Sequence, residues 1–181
     1  MPSYGIIVLV TALVNYDSLG FHVLPEASMA VVIRKCAITE LEAAPNFGDL
    51  LEEYAGELVV DGAPKFSAKM EMYYTLEKTG ALQAIGAYCD DVLVGFVTVL
   101  LSVFPHCGVL MACTESLFVA KEYRKTGAGL KLIRTAENYV RQKGSPCLFV
   151  SAPFGGNLAE VLPHIGYVET NRVFFRNLAN G

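Results

Sequence analysis

Apolar and polar positions along the chain follow two rhythms. Ala30 to Ile38, apolar but for Arg34, Lys35 and Cys36, reads as a strand. Thr39 and Glu42, in Thr-Glu-Leu-Glu, form a capping box that predicts a helix start. Helical spacing then runs from Leu41 to Leu58 with a break at Pro45 to Gly48. Lys65 to Thr79 predicts another helix, stopped by Gly80. Leu82 to Cys89 and Val92 to Phe104 are long apolar runs joined by Asp90-Asp91, a hairpin pattern. A turn at Pro105 to Gly108 leads to a third strand, Val109 to Val119. Gly127 to Lys143 is amphipathic, with Leu130, Ile133, Ala136 and Val140 at helical spacing, and Gly144-Ser145-Pro146 ends it. Cys147 to Ser151 reads as a strand, Asn157 to Ile165 as a short helix closed by Gly166, and Tyr167 to Leu178 as a last strand or hairpin. The order β, helices, β-β-β, α, β, α, β predicts a single α/β (α+β) domain with a mixed sheet.

Composition narrows the class. A chain of 181 residues suits one domain, and 53% hydrophobic against 18% charged residues excludes a disordered chain. A formal net charge of -4 argues against nucleic acid as a partner, because phosphate backbones demand a basic surface. The uncharged N-terminal stretch, Met1 to Tyr16, has an apolar centre from Ile6 to Val14 that is too short to span a bilayer. No Lys or Arg precedes Arg34, so a secretory leader is not expected either, and no membrane role is. Met29 opens a second plausible beginning, so residues 1–28 read as an N-terminal extension of open status and 29–181 as the domain. The five cysteines are odd in number and lack Cys-x-x-Cys spacing, while His22, His106 and His164 are scattered. Reduced thiols in a cytoplasmic protein and no metal site are the expectation.

Charge is unevenly distributed. Lys121 to Lys143 holds seven bases and two acids, whereas Glu40 to Asp61 holds seven acids and no base. The basic run opens at a strand-to-helix junction, Val119-Ala-Lys-Glu-Tyr-Arg124-Lys-Thr-Gly127-Ala-Gly129. A glycine-bearing turn at a helix start presents unpaired backbone N–H groups and the positive end of the helix dipole. A phosphate or pyrophosphate site over residues 124–129 is the physical inference. Neither the Walker spacing nor the dinucleotide Gly-x-Gly-x-x-Gly pattern is present there.

This junction resembles motif A of the GNAT superfamily of acyl-CoA N-acyltransferases, Val-x-x-x-x-Arg/Gln-x-x-Gly-x-Gly/Ala followed by an amphipathic helix. Val119, Arg124, Gly127 and Gly129 occupy its four key positions. The element order from about Val31 to Leu178 is similar to the family's as well. The resemblance implies a GNAT fold and acetyl-CoA as co-substrate, with no metal. It implies that Leu117, Phe118 and Val119 pair their backbone with the pantetheine arm, beside a bulge that splays the strand from its neighbour. It implies that the segment Arg124, Lys125, Thr126, Gly127, Ala128 and Gly129 holds the pyrophosphate, with Lys121, Arg124 and Lys125 adding charge. Asn157, after Phe154-Gly155-Gly156, is similar to a cofactor-contacting asparagine, although it stands nearer to Gly166 than the family's spacing.

Catalytic residues follow less directly. Many relatives carry a Tyr in the last helix as general acid for the thiolate; here Leu162 occupies that place, in Val161-Leu-Pro-His164-Ile-Gly166-Tyr167. Glu115 interrupts an apolar strand and is the candidate base. Strict alternation sets Glu115, Leu117 and Val119 on one face and Ser116 and Phe118 on the other. Ser116 and Cys113 are lesser candidates, His164 reads as a surface residue, and Tyr73 and Tyr74 are placed to line an acceptor groove. The acids of Glu40–Asp61 suggest a cationic acceptor: a small-molecule amine, a peptide N-terminus or a protein lysine. An apolar last hairpin containing Val173, Phe174 and Phe175 makes a homodimer the expectation. Three readings stay open: an acetyl-CoA-dependent N-acetyltransferase, a GNAT-fold protein that binds CoA or a partner without chemistry, and an unrelated phosphate-binding α/β protein.

Overall fold

The computed structural model describes residues 30–58, 63 and 66–178. The elements are β1 (Val31–Cys36), α1 (Ile38–Glu42), α2 (Phe47–Glu57), α3 (Met70–Lys78), β2 (Leu82–Cys89), β3 (Val92–Phe104), β4 (Val109–Val119), α4 (Ala128–Gln142), β5 (Leu148–Phe149) and α5 (Asn157–His164). The proposed extension, residues 1–28, lies outside the described residues.

The five strands form one mixed sheet in the order β1-β2-β3-β4-β5. β1 to β4 are antiparallel neighbours, and β5 runs parallel to β4. Asp90 and Asp91, both at positive φ (48° and 63°), close the β2–β3 hairpin in the left-handed conformation that matches strand twist. Gly95 in β3 lies against β4, and a Cβ there would stand 2.7 Å from the Phe118 carbonyl oxygen, so only glycine allows this approach.

The sheet carries helices on both faces. α4 packs one face, where Ala128, Leu132, Ala136 and Val140 meet Ile85, Val97 and Val99. α1, α2 and α3 cover the other, where Ile38, Leu41, Phe47 and Leu50 meet Ala84, Phe96 and Phe118. Each layer buries an apolar stripe, and this burial is the main force that seats the helices.

Four sequence expectations need correction. α1 is capped at Ala37 with no side-chain cap, so Thr39 and Glu42 form no capping box. Instead the Ile38 amide donates to Glu77 of α3 at 2.9 Å, and a distant carboxylate satisfies the helix start. Leu130 is exposed; the buried stripe of α4 runs through Ala128, Leu132 and Ile133 instead. β5 is two residues long, not five, because it diverges from β4 after Phe149. No strand occurs among the described residues 167–178, where Val168, Val173 and Phe174 lie exposed. With β5 so short, little edge remains for that segment to extend.

Candidate active site

The site forms where β4 departs from regular pairing. Thr98 of β3 faces Ser116 and Val99 faces Thr114, so Glu115 is the extra residue of a β-bulge. The bulge shifts the phase of the strand. Glu115 accepts hydrogen bonds from the Tyr73 hydroxyl of α3 at 2.8 Å and the Thr98 hydroxyl at 2.8 Å. Its carboxylate therefore lies on the α1–α3 face with Ser116. Leu117 and Val119 pack with the α4 cluster on the other face. Strict alternation had grouped Glu115 with Leu117 and Val119; the inserted residue overturns that grouping.

A hydroxyl relay holds the carboxylate. Ser116 Oγ lies 2.7 Å from Thr98 Oγ1, and the Ser116 amide donates to the same oxygen at 3.2 Å. Thr98 and Ser116 are buried, while Glu115 is exposed. Glu115 is thus anchored from behind and open in front. Burial and the adjacent carboxylate push the Tyr73 phenol well above its ordinary range, so it stays protonated as a donor. Tyr54 is pushed up to about 12, by burial first and the Glu115 charge second. Burial raises the Cys113 thiol, with Glu115 adding to it, which disfavours Cys113 as a nucleophile.

Beside this relay a cavity of about 30 Å³ opens between α1, α2, α3 and the sheet. Phe47, Tyr54, Phe66, Met70 and Phe96 wall it, and Thr98 and Ser116 lie at its base, with Tyr73 at the side. Tyr54 stands edge-on to Phe66 and Phe96, a packing that fixes the aromatic walls. Tyr74 does not line it; its hydroxyl donates to Glu42.

The candidate cofactor side is the opposite edge of β4. The ladder to β5 stops at Ala112–Leu148 and Cys113–Phe149, and the Ser151 amide then turns to the Thr114 hydroxyl at 3.2 Å. β4 and the chain after β5 diverge beyond this point. The Ala120 amide donates to Val94 of β3 at 3.0 Å, so alternation directs the Leu117 and Val119 backbone away from β3, toward the divergence. Among the described residues Leu117 and Val119 have no strand partner on that side, although the Val119 carbonyl is held by the Arg124 side chain, and such an edge suits an amide-bearing chain such as pantetheine.

A tight 3₁₀ segment, Lys121–Thr126, follows, and Gly127 at φ 79° starts α4. Thr126 Oγ1 accepts from the Ala128 amide at 3.3 Å. The next first-turn amides, Gly129 and Leu130, have no intrahelical acceptor. A Cβ on Gly127 would meet nothing within 4 Å, so the backbone here faces open space. The residues present fit a pyrophosphate-bearing CoA: a strand edge with no strand partner among the described residues, then amides at a helix start.

The basic side chains behave differently from expectation. Arg124 donates through Nε to the Val119 carbonyl at 2.9 Å, pairs with Glu57 at 2.7 Å and lies 5.5 Å from the Phe118 ring. Lys121 sits 3.8 Å from Glu57, and its amide donates to Glu53 at 3.0 Å. These two brace the loop against α2. Lys125 is exposed and makes no ion pair among the described residues, so it is the loop cation left for phosphate. The same pairs consume acids that had suggested a cationic acceptor: Glu53 and Glu57 serve the loop, Glu40 pairs with Arg34 at 2.8 Å, and Glu42 receives Tyr74.

On α5, Asn157 is exposed in the first turn and His164 in the last. Leu162 is buried, so this position packs the helix and offers no proton. Thr98 was missed by sequence reasoning. Its signal was a hydroxyl inside a thirteen-residue apolar strand.

Comparison with known proteins agrees with this geometry. The family model for the acetyltransferase (GNAT) family matches residues 47–159. No curated protein matches the chain. Among solved structures, a ribosomal-protein-alanine N-acetyltransferase from Brucella melitensis biovar Abortus 2308 superposes with a TM-score of 0.63 at 21% identity, covering 81% of this chain and 98% of that one. The aminoglycoside acetyltransferase meta-AAC0020 from an uncultured soil metagenomic sample, in complex with trehalose, gives 0.63 at 18% identity over 81% and 94%. AAC(6')-Iy, in complex with the bisubstrate analog CoA-S-monomethyl-acetylneamine, gives 0.62 at 21% identity over 81% and 97%. At these identities the structures speak for the fold, and the family model, which spans more than half of the chain, carries membership: the chain belongs to the GNAT family of acetyltransferases.

Proposed function

We propose that the protein transfers an acetyl group from acetyl-CoA directly to a primary amine. The observation that carries this reading is the position of Glu115. The bulge sets an exposed, doubly hydrogen-bonded carboxylate on β4, two residues from the unpaired edge that would hold pantetheine. Acetyl-CoA supplies the activated acetyl group. Leu117 and Val119 would hold its pantetheine arm, Thr126 to Gly129 its pyrophosphate, and Lys125 a phosphate charge.

Glu115 orients the incoming amine and takes a proton from its nitrogen as the C–N bond forms; the C–S bond breaks and the thiolate takes a proton from solvent. Tyr73 and Thr98 keep the carboxylate aimed, because each fixes one of its oxygens. With Leu162 where relatives carry a tyrosine, this chain supplies no phenol to the thiolate from α5, and release through water follows. A cytoplasmic homodimer is part of the same reading; the exposed Val173 and Phe174 support it.

Mixing the full chain with acetyl-CoA and a pool of amines, peptides and proteins tests this. The expected result is amine-dependent thiol release with an acetylated product found by mass spectrometry. Binding of acetyl-CoA without turnover on any amine would instead favour a CoA-binding role without chemistry.

A further inference from the structure

Two polar groups beside Glu115 have bonding capacity that the chain does not use. Thr98 and Ser116 face each other across the β3–β4 ladder, and Phe96 and Phe118 do so two rungs away on the same face. Tyr54 of α2 packs on that second pair, its ring centroid 6.0 Å from Phe96 and 5.5 Å from Phe118. It lines the cavity together with Thr98, Ser116 and Tyr73.

The protons of the relay fix its direction, because a hydroxyl has one proton to donate. Thr98 gives its proton to Glu115 at 2.8 Å, so Ser116 is the donor in its 2.7 Å contact with Thr98. Thr98 Oγ1 also receives the Ser116 amide. Its oxygen is then saturated. Ser116 Oγ has spent its proton and keeps its lone pairs. It lines the cavity, 6% exposed, as an acceptor only.

The Tyr54 hydroxyl has no hydrogen-bond partner among the described residues. Burial first, and the Glu115 charge second, keep it protonated, so its oxygen is neutral and open. For packing on Phe66, Phe96 and Phe118 alone, a phenylalanine would serve.

We propose that Tyr54 and Ser116 bind the acceptor nitrogen and make the site selective for primary amines. The neutral amine that attacks the thioester carries a lone pair and two N–H bonds. One N–H goes to Glu115, which takes that proton as the C–N bond forms and the C–S bond breaks. The other goes to Ser116 Oγ and Tyr54 Oη, which leaves the lone pair for the acetyl carbon. A secondary amine has one N–H and gives it to Glu115; its extra carbon then stands against the two oxygens and leaves them unpaired. This inference rests on the acetyltransferase reading and adds selection at the nitrogen to it. The pair sets no limit on the rest of the acceptor. A cleft of about 360 Å³, lined also by Glu42 and Glu52, shares Phe47, Leu51, Phe66, Ala68 and Met70 with the cavity.

Tyr54→Phe keeps the ring and removes only the hydroxyl. Thiol release with acetyl-CoA and butylamine should show kcat/KM lowered roughly threefold to tenfold, the worth of one hydrogen bond. Melting point and acetyl-CoA affinity should not fall, because no bond among the described residues is lost. Ser116→Ala leaves Thr98 its bond to Glu115 and the backbone amide, and should lower the butylamine rate by a similar factor. N-methylbutylamine, of nearly equal basicity, should be at least about tenfold slower than butylamine with the parent. Neither substitution should slow it further. A butylamine kcat/KM within about twofold of the parent in either variant overturns the inference. So do equal use of both amines by the parent and equal losses with both amines, which mark a general distortion. A secondary amine too slow to measure leaves the decision to butylamine.

If butylamine is not turned over, calorimetry of its binding to the CoA complex replaces the rate. Binding weakened at least about threefold in both variants supports the pair; unchanged binding, or none to the parent, overturns it. The mixed pool of amines, peptides and proteins decides separately whether the acetyltransferase reading stands.

Discussion

Glu115→Gln is expected to lower kcat/KM for amine acetylation by about 10²–10⁴-fold, the range typical of losing a general base. Acetyl-CoA affinity should stay unchanged, because the carboxylate is held by Tyr73 and Thr98 and not at the edge of β4 proposed for the cofactor. Glutamine keeps the length and shape of the side chain, and its carbonyl still accepts one of the two hydroxyls. The bulge is a backbone feature and survives. Initial rates by thiol release, with affinity measured separately by calorimetry, separate the two effects. The residual rate should rise with pH, since hydroxide and free amine then replace the missing base. A variant within threefold of the parent rate would remove Glu115 from the chemistry.

The second large effect is expected at Gly127. Gly127→Asp should weaken acetyl-CoA binding by at least about 100-fold, because it sets a carboxylate at the amides that would receive pyrophosphate. The fold should persist. A Cβ there meets nothing within 4 Å, and only the left-handed φ of 79° resists a side chain, at roughly 1–2 kcal/mol. That corresponds to a melting-point drop of a few degrees in a chain of this size. Gly127→Asn bears the same shape and backbone strain without the charge, so calorimetry should find it much nearer to the parent. Equal losses in both variants would assign the effect to backbone strain; unchanged affinity in Gly127→Asp would move the phosphate site elsewhere.

Most of the fold was readable from the sequence because its strongest signals are local. The β2–β3–β4 meander has uninterrupted apolar runs with turn residues between them, and its strand limits match the expectation to the residue. The glycine turn that opens α4 was equally legible, since glycine spacing and helix onset are written in neighbouring residues. What escaped depended on contacts between distant segments. Nothing near Ile38 announces that Glu77 caps it from thirty-nine residues away. The bulge is invisible to a period-two reading, because an inserted residue changes the phase without changing composition, and so Glu115 was placed on the wrong face. Charge runs are partly internal for the same reason. Of seven acids on one segment and seven bases on another, Glu53 and Glu57 meet Lys121 and Arg124 within the chain. Tyr73 was recognised as a groove residue, but its bond to Glu115 needed α3 to be laid across β4.

The central claim is that acetyl-CoA lies along the free edge of β4 and over the turn at Gly127. Residue-resolved amide hydrogen exchange, with and without CoA, tests it most directly. Slowed exchange at Leu117 and Val119 and at Gly127 to Gly129, with β1 and β2 unchanged, is the predicted result. Exchange unchanged at those amides under saturating CoA, or protection confined to other elements, would contradict it.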